Sequence, residues 1–504
     1  MGVLLWPDGE VRQLRTMISP RTAEDLQLEA ITEAMAPGSY WRMSVTDLSR
    51  LWTDDPEVIC HRQAVLRDFW ENPELEGLME GLLDSIDTWE SHSGRSVRTA
   101  HDRGGAMDLW DFSFLDSYLQ KVDALESALS GLTLRSAGML AFQEQVLRLR
   151  SSPRFQAVRE LFYRDFGGYS FPTRVTIGFN LDAGLKPVSL KLLKIPEKGG
   201  KGRRLSMTPS AMQTARQVLA KVISDAGQSI GGFVRQESSS LRQMKQDLVF
   251  YLSAMQLKRQ WEERGLPCCI PAVCPAEEQR FAAREMFNPL LVQHGTESIV
   301  TNDVEFSPGG EILILTGANQ GGKTVFLMSV ALTQWLFQLG IMVPCGTAAL
   351  SPVHQVLTAF APSLTGTSAG RNTGLLAEEA GRIADVVNGL TDHCLVLLNE
   401  PLNATSPAEN LYISREVLAA LKAAGARGVW VTHLYELAAD RERMNSLIAW
   451  GSTIGSLKIV VRSDETGIQP TYKVVRGEPE WNSYASEVLR RKEQAGEALQ
   501  ADAN

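Results

Sequence analysis

Gly317, Gly322, Lys323 and Thr324 occupy the fixed positions of G-x-x-x-x-G-K-[ST] within the stretch TGANQGGKTVFL. Glycines at 317, 321 and 322 permit backbone angles that a side chain forbids. The N–H groups of Gly317, Ala318, Asn319, Gln320, Gly321 and Gly322 can therefore turn inward around a phosphate. A helix opening at this point adds partial positive charge at its N-terminus. Lys323 then contacts the β- and γ-phosphates of a nucleotide, and the Thr324 hydroxyl is a ligand for Mg²⁺. Holding a nucleotide does not hydrolyse it, so a carboxylate is needed at the end of another buried strand. The run HCLVLLNEP supplies Asn399 and Glu400 at its tip. Glu400 is the candidate general base for the water attacking the γ-phosphate; the alternative is a solvated acid opening the turn before Pro401. A third apolar run, GVWVTH, ends at His433. That histidine either polarises the γ-phosphate region or is structural.

These motifs need a particular scaffold. EILILTG is an apolar run of strand length leading into the glycine loop, and a helical pattern follows it. From about residue 276, short apolar runs alternate with helices, which predicts a sheet with crossover helices. Upstream the pattern is mainly helical. Residues 20–90 show helical spacing, SHSGRSVRTAHDRGG reads as a loop, and FLDSYLQKVDALESALSGL resumes the helix. RVTIGFNLD and VSLKLLKI read as a strand pair, and Thr208 to about Arg264 as a long helical region. There Leu241, Met244, Leu248, Leu252 and Met255 share one face, which either packs on a neighbouring helix or forms a dimer coiled coil. PCCIPAVCP, with Pro267, Pro271 and Pro275 in or beside it, reads as a linker. The expected fold class is α/β plus all-α: a helical domain over 1–275 with a β insertion near 171–205, a P-loop α/β domain with a mixed sheet over 276–480, and a charged tail over 481–504.

Composition bounds the function. A chain of 504 residues, 44% hydrophobic and 22% charged, has ordinary globular values, which exclude wholesale disorder and fibrous repeats. Its formal charge of -9 argues against a surface coated in basic residues but leaves room for local basic stripes. Two segments concentrate such charge. One carries Arg148, Arg150, Arg154, Arg159 and Arg164. The other runs from Lys186 and includes Lys198, Lys201, Arg203 and Arg204 in a glycine-rich tip, EKGGKGRR, suited either to sequence-independent phosphate contact or to a plain solvated loop. The six cysteines lack the spacing of a disulfide framework or zinc site, and MGVLLWPDGEVRQ lacks the basic start of a secretion signal, so a cytoplasmic protein is expected. Val325 to Val343 is the one stretch uncharged enough to suggest a membrane span. Ser329, Thr333, Gln334 and Gln338 within it favour a helix buried in a domain.

LTGANQGGKTVFL, GIMVPC, CLVLLNEPLNATSPAEN and VWVTHLYELA resemble, in order and spacing, the nucleotide-binding loop, the following helix and strand, the Walker B segment and the histidine motif of the MutS DNA mismatch-repair ATPases. Upstream, VTIGFNLD, DPEVICHRQAVLRDFWENPEL and FNPLLV are similar to parts of the MutS core and of the stretch before the ATPase sheet. The resemblance implies an ABC/MutS-type ATPase domain behind a core/lever domain, with ATP and Mg²⁺ as cofactors and DNA as partner. It also implies a homodimer whose ATP sites are shared between chains, with Phe287 near the adenine and Asn372 and Thr373 in the signature loop that reaches the partner's nucleotide.

The sequence departs from the family pattern in two places. A helical core beginning near residue 20 leaves no room for the family's N-terminal mismatch-reading domain. Asn399 stands where the family has the Walker B aspartate; it can accept a hydrogen bond but lacks the charge that attracts a cation, so slower turnover or weaker Mg²⁺ dependence is expected. The leading expectation is a DNA-binding ATPase working as a dimeric clamp in repair or recombination. The alternative is a nucleotide-switched scaffold with no DNA contact.

Overall fold

The computed structural model describes residues 2–9, 18–36, 42–99, 110–160, 163, 176–181, 187–194, 233, 236–318, 320–361, 374–464 and 467–479. The chain divides into two compact units, Met1–Val11 with Asp68–Leu248, and Arg12–Arg67 with Val249–Asn504.

The first unit is mainly helical. Its helices Glu74–Thr99, Trp110–Gly131, Ala137–Ser151 and Pro153–Glu160 follow one another in the chain. Leu115, Leu119, Val122, Leu125 and Leu129 recur at three- and four-residue steps on the second of these and are all buried. Ser136 caps the third helix by accepting from the Met139 N–H, while the Asp68 carboxylate accepts from Arg135 N, Ser136 N and Ser136 Oγ. The strand pair is present as antiparallel β1 (Thr176–Leu181) and β2 (Pro187–Lys194). One expectation needs correction: the first helix continues through Ser91 to Thr99, where the polar composition read as a loop. Without a proline, a polar stretch with one glycine still propagates a helix already begun.

Arg148, Arg150, Arg154 and Arg159 lie on the third and fourth helices and their charges are matched; Arg164 lies outside the described residues. Arg148 pairs with Glu144, Arg154 with Glu237, Arg150 with Asp123 and Glu126, and Arg159 again with Asp123.

The second unit contains β3 (Ala272–Val273), β4 (Phe281–Met286), β5 (Asn302–Glu305), β6 (Glu311–Thr316), β7 (Thr347–Leu350), β8 (Gln355–Phe360), β9 (Cys394–Asn399), β10 (Arg427–Val431), β11 (Thr453–Asp464) and β12 (Gly467–Arg476). Strands β3, β7, β4 and β5 form a small sheet, so the proline-broken stretch read as a linker supplies a strand through Ala272 and Val273. GIMVPC contributes only a bridge from Val343 to Cys269, and the strand expected there begins at Thr347.

The larger sheet has the order β12-β11-β6-β10-β9-β8. Strands β11, β6, β10, β9 and β8 are parallel, and β12 is an antiparallel edge. Strands β6 and β10 are buried at every position, which is why they read as unbroken apolar runs rather than alternating ones. Register then does the positioning. Val431 lies opposite Leu315 on one side and Asn399 on the other, so the carboxyl ends of β6, β10 and β9 finish side by side.

The helix Lys323–Leu339 is buried along nearly its whole length. Its polar residues are spent inside the protein. Gln334 Nε2 donates to Gln338 Oε1 and to Ser351 O, while Gln338 Nε2 donates to Thr53 O and Val353 O. Gln334 Oε1 accepts from the buried Arg427. No helix among the described residues is long and apolar enough to cross a membrane. The heptad-like face Leu241, Met244, Leu248, Leu252 and Met255 is likewise buried within the chain, which removes it as the seam of a coiled coil between chains.

The far edge of the larger sheet is covered by the short helix Pro20–Asp25. Thr22 Oγ1 donates to Val356 O of β8, and Asp25 pairs with Arg382. Such cover removes an open sheet edge.

Candidate active site

The glycine loop leaves β6 and enters the helix Lys323–Leu339. Gly317 has φ +144 and Gly322 has φ +90, both in the region that favours glycine. At Gly317 a Cβ would lie 2.9 Å from Ile459 Cγ1 of β11, so space as well as torsion demands glycine there. Gly322 caps the helix without a side-chain bond, which leaves the first N–H groups of the helix open to an anion.

Lys323 is 5% exposed and folds back over this loop. Its Nζ donates to Gly317 O at 3.0 Å and Ala318 O at 3.2 Å and lies 3.9 Å from Glu400 Oε1. Burial pushes its pKa down, and the Glu400 charge partly restores it. A buried cation held mainly by carbonyls is stabilised by an incoming anion.

Glu400 projects from the end of β9. Its φ is +50, a left-handed conformation rare outside glycine and rarer before a proline, here Pro401. Holding it costs about 1–3 kcal/mol. The bond from Glu400 N to Val431 O at 2.9 Å secures it. The carboxylate meets His433, with Oε1 2.7 Å from Nε2. That hydrogen bond is the largest cause holding Glu400 below the ordinary carboxylate range; burial opposes it, and Lys323 and Asn403 assist. Beside it, Thr324 Oγ1 donates to Asn399 Oδ1 at 3.2 Å.

A cleft of about 470 Å³ opens over these groups. The loop, Thr324 and Glu400 form its floor, and Leu291, Val300 and Tyr472 contribute apolar wall. Thr296 and Ser298 add hydroxyls. Tyr472, half exposed on β12, is anchored through its backbone, because Asn302 Nδ2 donates to Tyr472 O and Val474 N donates to Asn302 Oδ1. Leu291 lies within FNPLLV, the stretch that the resemblance placed near the adenine, whereas Val300 and Tyr472 carry no motif and come from distant segments, so sequence reading missed them.

Residues 313–499 match the family described as MutS domain V, a stretch spanning the glycine loop, Glu400 and His433. Over residues 313–499, less than half of the chain, the sequence is similar to MutS domain V. It is 30% identical over 217 residues to Endonuclease MutS2 of Thermus thermophilus, covering 43% of this chain and 27% of that protein. It is 32% identical over 195 residues to DNA mismatch repair protein MutS of Chlorobium chlorochromatii, covering 38% of this chain and 21% of the relative. DNA mismatch repair protein MutS 2 of Halobacterium salinarum is 32% identical over 155 residues, 31% of this chain and 18% of its own length. The matched stretch thus spans about a quarter or less of these relatives.

Of the residues that the sequence singled out, Lys323, Thr324, Asn399, Glu400 and His433 are brought together. Gln320, Gly321 and Gly322 line the cleft with Lys323, Thr324 and Glu400, Asn399 and His433 each bond to a lining residue, and Gly317 and Ala318 provide the carbonyls that receive Lys323. Phe287 stands elsewhere. It is 1% exposed, packs edge-on against Trp261 with ring centroids 5.6 Å apart, and is not among the residues lining the cleft. Asn319, Asn372, Thr373, Lys198, Lys201, Arg203 and Arg204 lie outside the described residues.

The oxygens that the MutS pattern would turn toward Mg²⁺ are those of Thr324 and Asn399. Both are neutral, and they are bonded to each other. Among the described residues, Lys323 and Glu400 are the only formally charged ones lining the cleft, and Glu400 is engaged by His433. This donor set fits a tightly held Mg²⁺ poorly, because such sites are built on carboxylates.

Proposed function

We propose that the chain is a MutS-like ATPase that binds ATP in the cleft over Lys323, hydrolyses it slowly, and couples this cycle to DNA as a dimer. One observation carries the reading: register in a parallel sheet sets a glycine loop with a buried lysine beside a strained, ionised Glu400 and its His433 partner. Ligands of open α/β sheets bind at such strand ends.

In this reading the loop N–H groups and Lys323 hold the β- and γ-phosphates, exchanging the carbonyls of Gly317 and Ala318 for phosphate oxygens. The base rests against Leu291, Val300 and Tyr472, the role that the resemblance gave to Phe287. Glu400 takes the proton from the water attacking the γ-phosphate, and His433 keeps the carboxylate ionised and aimed. Asn372 and Thr373 serve the partner subunit's nucleotide, and the segment around Lys198, Lys201, Arg203 and Arg204 contacts phosphates of DNA without reading sequence.

The nucleotide-switched scaffold without DNA contact draws on a separate observation, the arginines of Arg148–Arg159 already paired with acids. The ATPase rate with and without mismatched, homoduplex and branched DNA separates the two. Stimulation by DNA that disappears in a Lys198/Lys201/Arg203/Arg204→Ala variant supports the first reading. A rate indifferent to all three DNAs, with no salt-sensitive binding, overturns it in favour of the scaffold.

A further inference from the structure

We infer that Asn399 relieves this site of its need for a divalent cation: the amide replaces a metal-holding carboxylate and itself donates to the phosphate, so free and magnesium-bound nucleotide are held almost equally. The inference rests on the cleft being the nucleotide site and concerns what that site selects.

A carboxylate at this position has two electrostatic effects. It attracts a cation bridging the β- and γ-phosphates, and it repels the same phosphates when they arrive bare. An amide has neither. Asn399 occupies the last position of β9, beside the loop, with its Oδ1 accepting from the Thr324 hydroxyl at 3.2 Å. That bond fixes the amide plane and leaves the Nδ2 end, which has no hydrogen bond among the described residues. An amide nitrogen offers two donors. Thr324 lines the cleft floor, so a phosphate oxygen over Thr324 is within reach of the Asn399 amide.

The remaining charges agree. Lys323 and Glu400 are the charged pair lining the cleft, and their charges cancel. Glu400 Oε1 faces His433 at 2.7 Å and Lys323 at 3.9 Å, so its charge is already engaged and it is a poor cation ligand. Lys323 is buried with only carbonyls and this carboxylate around it, so a bare phosphate gives it a full counter-charge. The one carboxylate at the cleft, Glu400, is offset by Lys323, so nucleotide arriving without metal meets no second negative charge among the described lining residues.

The test is equilibrium binding of a fluorescent ATP analogue to the full chain, in excess magnesium and in excess EDTA, with no turnover required. For the unaltered protein the two dissociation constants are expected within about threefold of one another, whereas Asn399→Asp restores a preference of about tenfold or more for the magnesium form. Asn399→Ala is expected to weaken binding in EDTA more than in magnesium, because it removes the donor without restoring the charge. Binding by the unaltered protein that collapses in EDTA overturns the inference while leaving the nucleotide site standing. Failure to bind in either condition, or equal binding by Lys323→Ala, overturns the site reading and this inference together. Circular dichroism of Asn399→Asp, an isosteric change, confirms that the variants compared are folded.

Discussion

Lys323 and the arginines between Arg148 and Arg159 carry positive charge in two different settings, and the protein treats them in opposite ways. The arginines sit on helix surfaces of the first unit, and each has an acid within ion-pairing distance; Asp123 alone serves Arg150 and Arg159. Lys323 is a single buried cation whose nearest groups are two backbone carbonyls, with its one carboxylate at 3.9 Å and already committed to His433. Counting charges along the sequence favours the arginine segment. Asking which charge its own fold has left incompletely neutralised favours the lysine, and that is where a phosphate gains most.

The comparison breaks first at Lys323. Lys323→Ala is expected to weaken ATP binding by about a hundredfold, a loss that fluorescence titration reads directly, because a desolvated charge-assisted contact disappears. A loss of threefold or less, to about that precision, would place the phosphates elsewhere.

A smaller effect sharpens the role of the neighbouring pair. Glu400 is held below the ordinary carboxylate range chiefly by its bond from His433. A carboxylate depressed in the folded state makes its full contribution above its unfolded value and loses it as pH falls through the folded value. If Glu400 is the base, the acid limb of hydrolysis is therefore expected below the ordinary carboxylate range in the unaltered protein. His433→Ala is expected to move that limb upward by about one pH unit, read from the pH dependence of the rate. An unmoved limb would remove His433 as the partner that tunes Glu400.

The smallest effect belongs to the arginines. Arg150→Ala and Arg159→Ala are expected to change stability by less than about 1 kcal/mol, as exposed pairs do, and to leave the salt dependence of duplex binding unaltered. A shallower salt slope in either variant would show that these side chains leave their acids for DNA phosphates.

What the sequence made legible divides along the same line. The glycine loop, Glu400 and His433 are short contiguous patterns fixed by local chemistry, each at the end of a buried apolar run, so their types and order could be read directly. That the apolar stretch from Val325 holds a buried helix, which ends at Leu339, was legible from Gln334 and Gln338, though not that Arg427 and Ser351 would satisfy the first and Thr53 and Val353 the second. The walls of the cleft were not legible. Val300 and Tyr472 meet Leu291 of the FNPLLV stretch only through the pairing of distant strands and loops, and no residue type announces such a meeting. Phe287 shows the reverse error: an aromatic ring beside a suggestive motif can as well be core, and Trp261 makes it so. The cover that Thr22 and Asp25 give to β8 and Arg382 joins segments more than three hundred residues apart, and burial alone reveals it.

The most direct measurement is a single-turnover experiment in which radiolabelled ATP is mixed with excess protein, and both retained nucleotide and its conversion to ADP are followed for the unaltered chain and for Glu400→Gln. Both proteins are expected to retain nucleotide, with conversion slowed by about a hundredfold or more in the variant. Equal conversion by the two proteins, or no retained nucleotide in either, would contradict the assignment of this cleft as a nucleotide-hydrolysing site.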